Sequence, residues 1–257
     1  MTAPEIALVG VFGLMVGSFL NVCIARLPRG ESIVTPPSTC PKCRRRLAWR
    51  DNIPVVSYLL LKGKCRQCAA PISARYPLVE VATAIVFVVQ AMMEPTMGAH
   101  LASRLVLTAL LLALAVTDAE TFRLPNPLTY GGVVIALGLS LVAPPGVVDA
   151  VLGALLGAGI LLAIRWAWLR ATGTDAMGLG DVKMLAMIGA FLGWPQVFVV
   201  LLLSTVAGAA VGIAVTLTGR GSMRTKLPFG VFLSMAAFVA SLIGEPLLAW
   251  YLGLLAV

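Results

Sequence analysis

The sequence predicts an all-α polytopic membrane protein of about eight transmembrane or half-spanning helices, with a small polar loop domain between the first and the second. Three observations predict it. Of 257 residues, 60% are hydrophobic and only 12% charged, about half the charge of an average soluble chain. Apolar runs of spanning or near-spanning length recur along the chain. Eleven of the 19 Lys and Arg lie within residues 26–75 against only Glu31 and Asp51, so this one segment carries +9 where the whole chain carries +8.

The composition excludes a soluble globular enzyme and a disordered regulator. Nucleic-acid binding is excluded too, because no aromatics interleave with the basic residues to form a stacking platform. The first run, residues 6–24, is long enough for a hydrocarbon core of roughly 30 Å at 1.5 Å per residue. No Lys or Arg precedes it and the basic cluster follows, so it reads as a spanning helix with the N-terminus outside rather than as a signal peptide. Residues 1–25 are then the first transmembrane helix, 26–77 a basic cytoplasmic loop domain and 78–257 a second transmembrane domain. Further runs fall at 78–93, 101–116, 128–142, 147–169, 184–192, 197–217 and 229–255. Threaded alternately, they put every basic residue but Arg104 on the cytoplasmic side. The run at 184–192 reaches about half a bilayer; a break at Trp194-Pro195 and a return crossing keep Arg220, Arg224 and Lys226 inside.

Within the loop, Cys40-Pro-Lys-Cys43 and Cys65-Arg-Gln-Cys68 are two knuckles of the spacing that closes four thiolates around a structural zinc. A pair of disulfides is the alternative, disfavoured by a reducing cytoplasm. Four thiolates leave no position open for water, so the metal would hold the loop together and perform no chemistry. Cys23, inside the first helix, reads as an inert buried thiol.

Ionisable groups at membrane depth are costly, which makes each one a functional candidate. Asp118 directly follows the third run, and Asp181 stands in Gly178-Leu-Gly180-Asp181-Val-Lys183, just before the short one. Taken singly, Asp181 could be an N-cap and Asp118 a turn residue before Pro125. Together, at one depth and with Gly178 and Gly180 leaving room for a peptide backbone, they meet the needs of an aspartic protease: one carboxylate takes a proton from water while the other polarises the scissile carbonyl. A helix C-terminus before Asp118 and an N-terminus after Asp181 assign the acid to Asp118 and the base to Asp181. Glu80, near the start of the second run, is either a helix-dipole partner or a polar contact facing the site. Lys183 either binds the carbonyl side of a substrate or marks the inner face. Asp175 reads as a solvated loop acid.

The segments Gly17-Ser-Phe-Leu-Asn-Val22, Pro37-Ser-Thr-Cys-Pro-Lys-Cys43, Asp51-Asn-Ile-Pro54, Gly63-Lys-Cys-Arg-Gln-Cys68, Arg75-Tyr-Pro-Leu-Val-Glu80, the Asp118 segment ending Leu-Pro-Asn126, Gly178-Leu-Gly-Asp181 and Leu227-Pro-Phe-Gly230 resemble, in order, a type IV prepilin peptidase. The resemblance implies an inner-membrane aspartic endopeptidase whose catalytic pair corresponds to Asp118 and Asp181. It would cut the basic leader from type IV prepilins and type II secretion pseudopilins on the cytoplasmic side. It also implies N-methylation of the new N-terminus from S-adenosylmethionine, although no glycine-rich donor motif is visible. Substrate leader and loop are both basic, so the loop's expected partner is anionic lipid. The alternatives are a peptidase without methylation and, from another class, an ion-coupled transporter using the two aspartates.

Overall fold

Each apolar run forms a helix in the computed structural model, which describes residues 1–175, 177–218 and 226–255. The helices are α1 (Ala3–Arg26), α2 (Val56–Leu60), α3 (Arg75–Met93), α4 (Ala99–Thr121), α5 (Asn126–Leu139), α6 (Val147–Thr172), α7 (Leu179–Leu192), α8 (Trp194–Leu217) and α9 (Phe229–Leu255). Among the described residues, α1, α3, α4, α6, α8 and α9 are long and apolar enough to cross a membrane, and the chain is a multi-pass membrane protein. Arg220 and Arg224 lie outside the described residues, while Lys226 is exposed.

The chain divides into two compact units, Met1–Met97 and Gly98–Val257. In the first, α3, which the sequence groups with the helices after it, packs along α1. The glycines of α1 make the approach possible. A Cβ on Gly13 would lie 2.7 Å from the Ala84 Cα, and one on Gly17 would lie 2.7 Å from the Glu80 Cα. Such small-residue contact is how helices associate where lipid is as apolar as their side chains. The N-terminus of α1 is fixed by a capping box in which the Thr2 amide donates to Glu5 Oε2 at 2.7 Å.

In the second unit α7 is the central helix, with α4, α5, α6, α8 and α9 all packed against it. This explains a length too short for a bilayer: Met184, Leu185, Met187 and Ile188 have no exposed surface, so α7 is an interior helix rather than a lipid-facing one. It ends where Gly193 adopts φ +83 and α8 begins with Pro195 in its first turn, the expected break and return. On α6, Gly157 meets the α7 backbone: a Cβ there would lie 2.6 Å from the Leu185 carbonyl oxygen, whereas one on Gly159 meets nothing within 4 Å. Gly157→Leu is therefore expected to lower stability by about 1–3 kcal/mol or more and Gly159→Leu by far less. Thermal unfolding of both variants in the same detergent checks the difference; equal midpoints would refute backbone contact at this crossing.

Candidate functional site

The loop of the first unit is built from two turns with the same hydrogen-bond pattern. In one, the Cys40 amide donates to Arg45 O at 3.0 Å and Arg44 N to Cys40 O at 2.8 Å; in the other, Cys65 N donates to Ala70 O at 2.8 Å and Ala69 N to Cys65 O at 2.9 Å. Arg44 and Ala69 take positive φ (57 and 53) at equivalent places, and each turn carries one bridge, Thr39 with Arg46 and Lys64 with Pro71. The turns aim Cys40, Cys43, Cys65 and Cys68 at one point, their sulfurs all within 4.8 Å of one another. Cys40 Sγ and Cys68 Sγ stand 3.8 Å apart, far beyond the roughly 2.05 Å of a disulfide and equal to the edge of a tetrahedron with metal–sulfur bonds of about 2.3 Å. The N–H groups of Cys43 and Lys42 pull the Cys40 thiol down to about 6, so it offers a thiolate at neutral pH. The cluster can hold a metal ion such as zinc.

Glu80 makes a polar contact but not the helix-dipole contact of the other sequence reading. Because α3 begins at Arg75, Glu80 lies in its second turn, past the reach of a first-turn dipole contact. It is buried, and Oε2 accepts the Val55 amide at 2.7 Å, fastening the loop to the helix. Val55 pays for this position with φ +60, a strained region for a β-branched residue. Asp51, from the same stretch, is held by Arg66 at 2.7 Å.

In the second unit Asp118 is not in a turn. Helix α4 continues to Thr121 and Asp118 lies buried in its last turns. Nor is Asp181 an N-cap: Gly178 takes that position and Asp181 is the third residue of α7, leaving its carboxylate free of capping. Helix α7 thus starts earlier than the apolar run does, and Lys183 is in its first turns as well.

The two aspartates meet at one end of this unit. Asp118 lies close enough for its charge to act on Asp181. The backbone N–H groups of Gly230 and Val231, at the N-terminus of α9, face the Asp118 carboxylate, whose Oδ2 is buried without a bonded partner. A Cβ on Gly230 would lie 2.8 Å from that oxygen, so only glycine admits this approach. Gly178 is open on its Cβ side apart from the Gly180 nitrogen at 3.8 Å, whereas Gly180 faces Leu124, whose nearest carbon would be 3.1 Å from an added Cβ. The room left by Gly180 is therefore taken by Leu124, and the open glycine is Gly178. Lys183 Nζ donates to Asn126 Oδ1 at 2.9 Å and sits 5.1 Å over the Tyr130 ring, tying the N-termini of α5 and α7 together. Asp175 is a solvated loop acid, 57% exposed, and pairs with Arg165 at 2.9 Å.

Gly230, Asn126 and Tyr130 are the residues that sequence reasoning passed over as site members. The signals for Gly230 and Asn126 were the Leu-Pro-Phe-Gly and Leu-Pro-Asn segments; for Tyr130 there was only nearness to Asp118 in the chain.

Residues 11–93 match the family model described as the Bacterial Peptidase A24 N-terminal domain, and residues 105–213 match the Type IV leader peptidase family. The chain is 40% identical to the "Prepilin leader peptidase/N-methyltransferase" of Aeromonas salmonicida (strain A449), an alignment covering 96% of this chain and 93% of the relative. It is 43% identical to the protein of the same name from Klebsiella pneumoniae over 76% of this chain and 88% of the relative. With that of Pseudomonas putida the identity is 36%, over 95% and 92%. No solved structure matches the chain. Two paired aspartates, a four-cysteine loop and these matches in the same order lead to one conclusion: the chain belongs to the type IV leader peptidase family.

Proposed function

We propose that the protein is an intramembrane aspartic endopeptidase that removes the basic leader peptide from type IV prepilins and type II secretion pseudopilins, and then N-methylates the residue it exposes. The observation that carries this reading is the pairing of Asp118 and Asp181 from two helix ends, one carboxylate oxygen left unbonded beside the N-terminus of α9.

The chemistry follows from that pairing. The ionised aspartate removes a proton from a water molecule as its oxygen attacks the scissile carbonyl carbon, while the protonated partner donates to the carbonyl oxygen. The tetrahedral intermediate collapses when the C–N bond breaks and the departing amine takes a proton from the pair. Both carboxylates face a helix N-terminus, Asp181 that of α7 and Asp118 that of α9. Asp118 also stands in the last turn of α4, so that helix C-terminus and the α7 N-terminus at Asp181 still favour Asp118 as the acid and Asp181 as the base, while the α9 N-terminus narrows the difference. The dyad works as one unit carrying one proton. Gly178, open on its Cβ side, leaves room at the start of α7 for an extended substrate segment, and Lys183, held by Asn126, keeps α5 and α7 aligned.

In the loop, Cys40, Cys43, Cys65 and Cys68 hold zinc as a closed, structural set. S-adenosylmethionine, when bound, supplies the methyl group. The excess of Lys and Arg in residues 26–75 supports a loop on the cytoplasmic side of the bacterial inner membrane, N-terminus outside, with the catalytic aspartates at the same face and anionic headgroups as the loop's partner.

The test is to incubate the purified protein with a prepilin and S-adenosylmethionine and follow the product mass. A product that has lost its leader and gained one methyl group is the expected result; an unchanged mass would sink the reading, and leader loss alone would remove the methyl transfer.

A further inference from the structure

We propose that Leu124 is the positioning residue of the aspartate pair: its two methyl groups, one against Gly180 and the other against Gly230, set the spacing of the helix starts that bring Asp118 and Asp181 together. The proposal rests on the peptidase reading above and gives a part to a side chain that can neither exchange a proton nor bond to water.

The chain leaves Leu124 little freedom. Helix α4 stops at Thr121, and Phe122 turns the backbone into the left-handed region at φ +53, its amide donating to Asp118 O at 2.9 Å. Pro125 then caps α5, its carbonyl accepting from Leu128 N at 3.1 Å and Thr129 N at 3.2 Å. A proline also disfavours helical backbone in the residue before it. Leu124 is therefore held between a fixed helix end and a fixed helix start, and the helix that ends there carries Asp118.

From that position the side chain divides between two glycines. A Cβ on Gly180 would lie 3.1, 3.2 and 3.4 Å from Leu124 Cβ, Cδ1 and Cγ, and one on Gly230 would lie 3.2 Å from Leu124 Cδ2. One branch thus meets the first turn of α7 and the other the first turn of α9. Gly180 immediately precedes Asp181, and Gly230 turns both its N–H and its bare Cα toward the Asp118 carboxylate. Close-packed interiors transmit a displacement rather than absorb it, so the width of one isobutyl group enters the separation of the two carboxylates. Branching at Cγ is what lets one side chain reach both glycines. Isoleucine has the same atoms but moves a methyl to Cβ, the side already close to Gly180, and keeps a single Cδ.

The test uses the full chain in detergent, with prepilin cleavage kinetics and thermal unfolding measured on the same preparations. Leu124→Ala removes the spacer, Leu124→Ile keeps its volume and moves the branch, and Leu128→Ala empties a buried position of α5 nearby in the chain. We expect kcat per folded molecule to fall about 10²-fold in Leu124→Ala and about tenfold in Leu124→Ile, the scale of a misplaced catalytic group, with KM kept within about threefold. Leu128→Ala is expected to lower the unfolding midpoint and leave kcat unchanged. A second measurement reads the spacing without any cleavage: Asp118→Cys combined with Asp181→Cys is oxidised and the disulfide mapped by mass, with and without Leu124→Ala. Its rate of formation is expected to change about fivefold or more when the spacer is removed. An unchanged cross-linking rate, a kcat for Leu124→Ala within about threefold of wild type, or an equal loss in Leu128→Ala overturns the spacer and leaves the peptidase standing. A wild type that cleaves no prepilin overturns the peptidase reading, and the cross-linking rate then supports or overturns the spacer by itself.

Discussion

Asp118→Asn and Asp181→Asn are each expected to reduce leader cleavage about 10³-fold, in line with what a positioned acid or base contributes. The substitution keeps the shape of the side chain and removes only its ability to exchange a proton. The fold gives no reason for collapse: the amide oxygen of Asn can still face the Gly230 and Val231 N–H groups that meet Asp118, Asp181 caps nothing, and a neutral amide relieves like-charge crowding between the two. Single-turnover cleavage followed by mass, beside thermal unfolding of the same preparations, reads both effects. Either variant cleaving within tenfold of the wild type at normal stability would remove that residue from the chemistry.

The second large effect concerns the metal. Replacing Cys40 and Cys43 together by Ser removes two of four ligands, and structural zinc in small sites contributes about 10–16 kcal/mol of apparent binding. Residues 27–74 have no strand and, apart from α2 and short 3-10 turns, no helix of their own, so the loop has little else to fold around. Loss of zinc, proteolytic sensitivity of the loop and loss of methyl transfer are the expected results, with cleavage reduced less. Metal analysis, limited proteolysis and the two product masses measure them separately. A protein that lost its metal yet kept both activities and a protected loop would show that zinc is dispensable to the fold.

The helices and their order are legible in the sequence because a long apolar run has few alternatives to spanning a membrane. Their ends are less so. Ending α4 at Val116 treats Thr117 and Asp118 as breakers, yet the hydroxyls of Thr117 and Thr121 bond back to Ala113 O and Thr117 O at 2.7 and 2.8 Å and let the helix continue. Starting α7 at Met184 overlooks Gly178 as a cap, and this moves Asp181 from the cap into the helix. The four cysteines are legible because both knuckles are local patterns of fixed spacing. The approach of Gly230 to Asp118 is not, since it joins α4 to α9 over a long stretch of chain. Asn21 carried a readable signal that goes unused when a run is scored only by its mean apolarity: an amide inside a spanning helix is costly and asks for a partner.

Helix α5 has 14 residues, about 21 Å of length at 1.5 Å per residue, and unlike α7 it turns Val134 and Ile135 outward. Lipid beside it must match a hydrophobic height several ångströms below the roughly 30 Å of an average bilayer. Through the Lys183–Asn126 tie, any tilt of α5 that relieves this mismatch is passed to the first turn of α7, where Asp181 sits. Acyl-chain length thereby becomes a control variable for the enzyme, and membranes of different thickness would set different resting geometries for the same dyad.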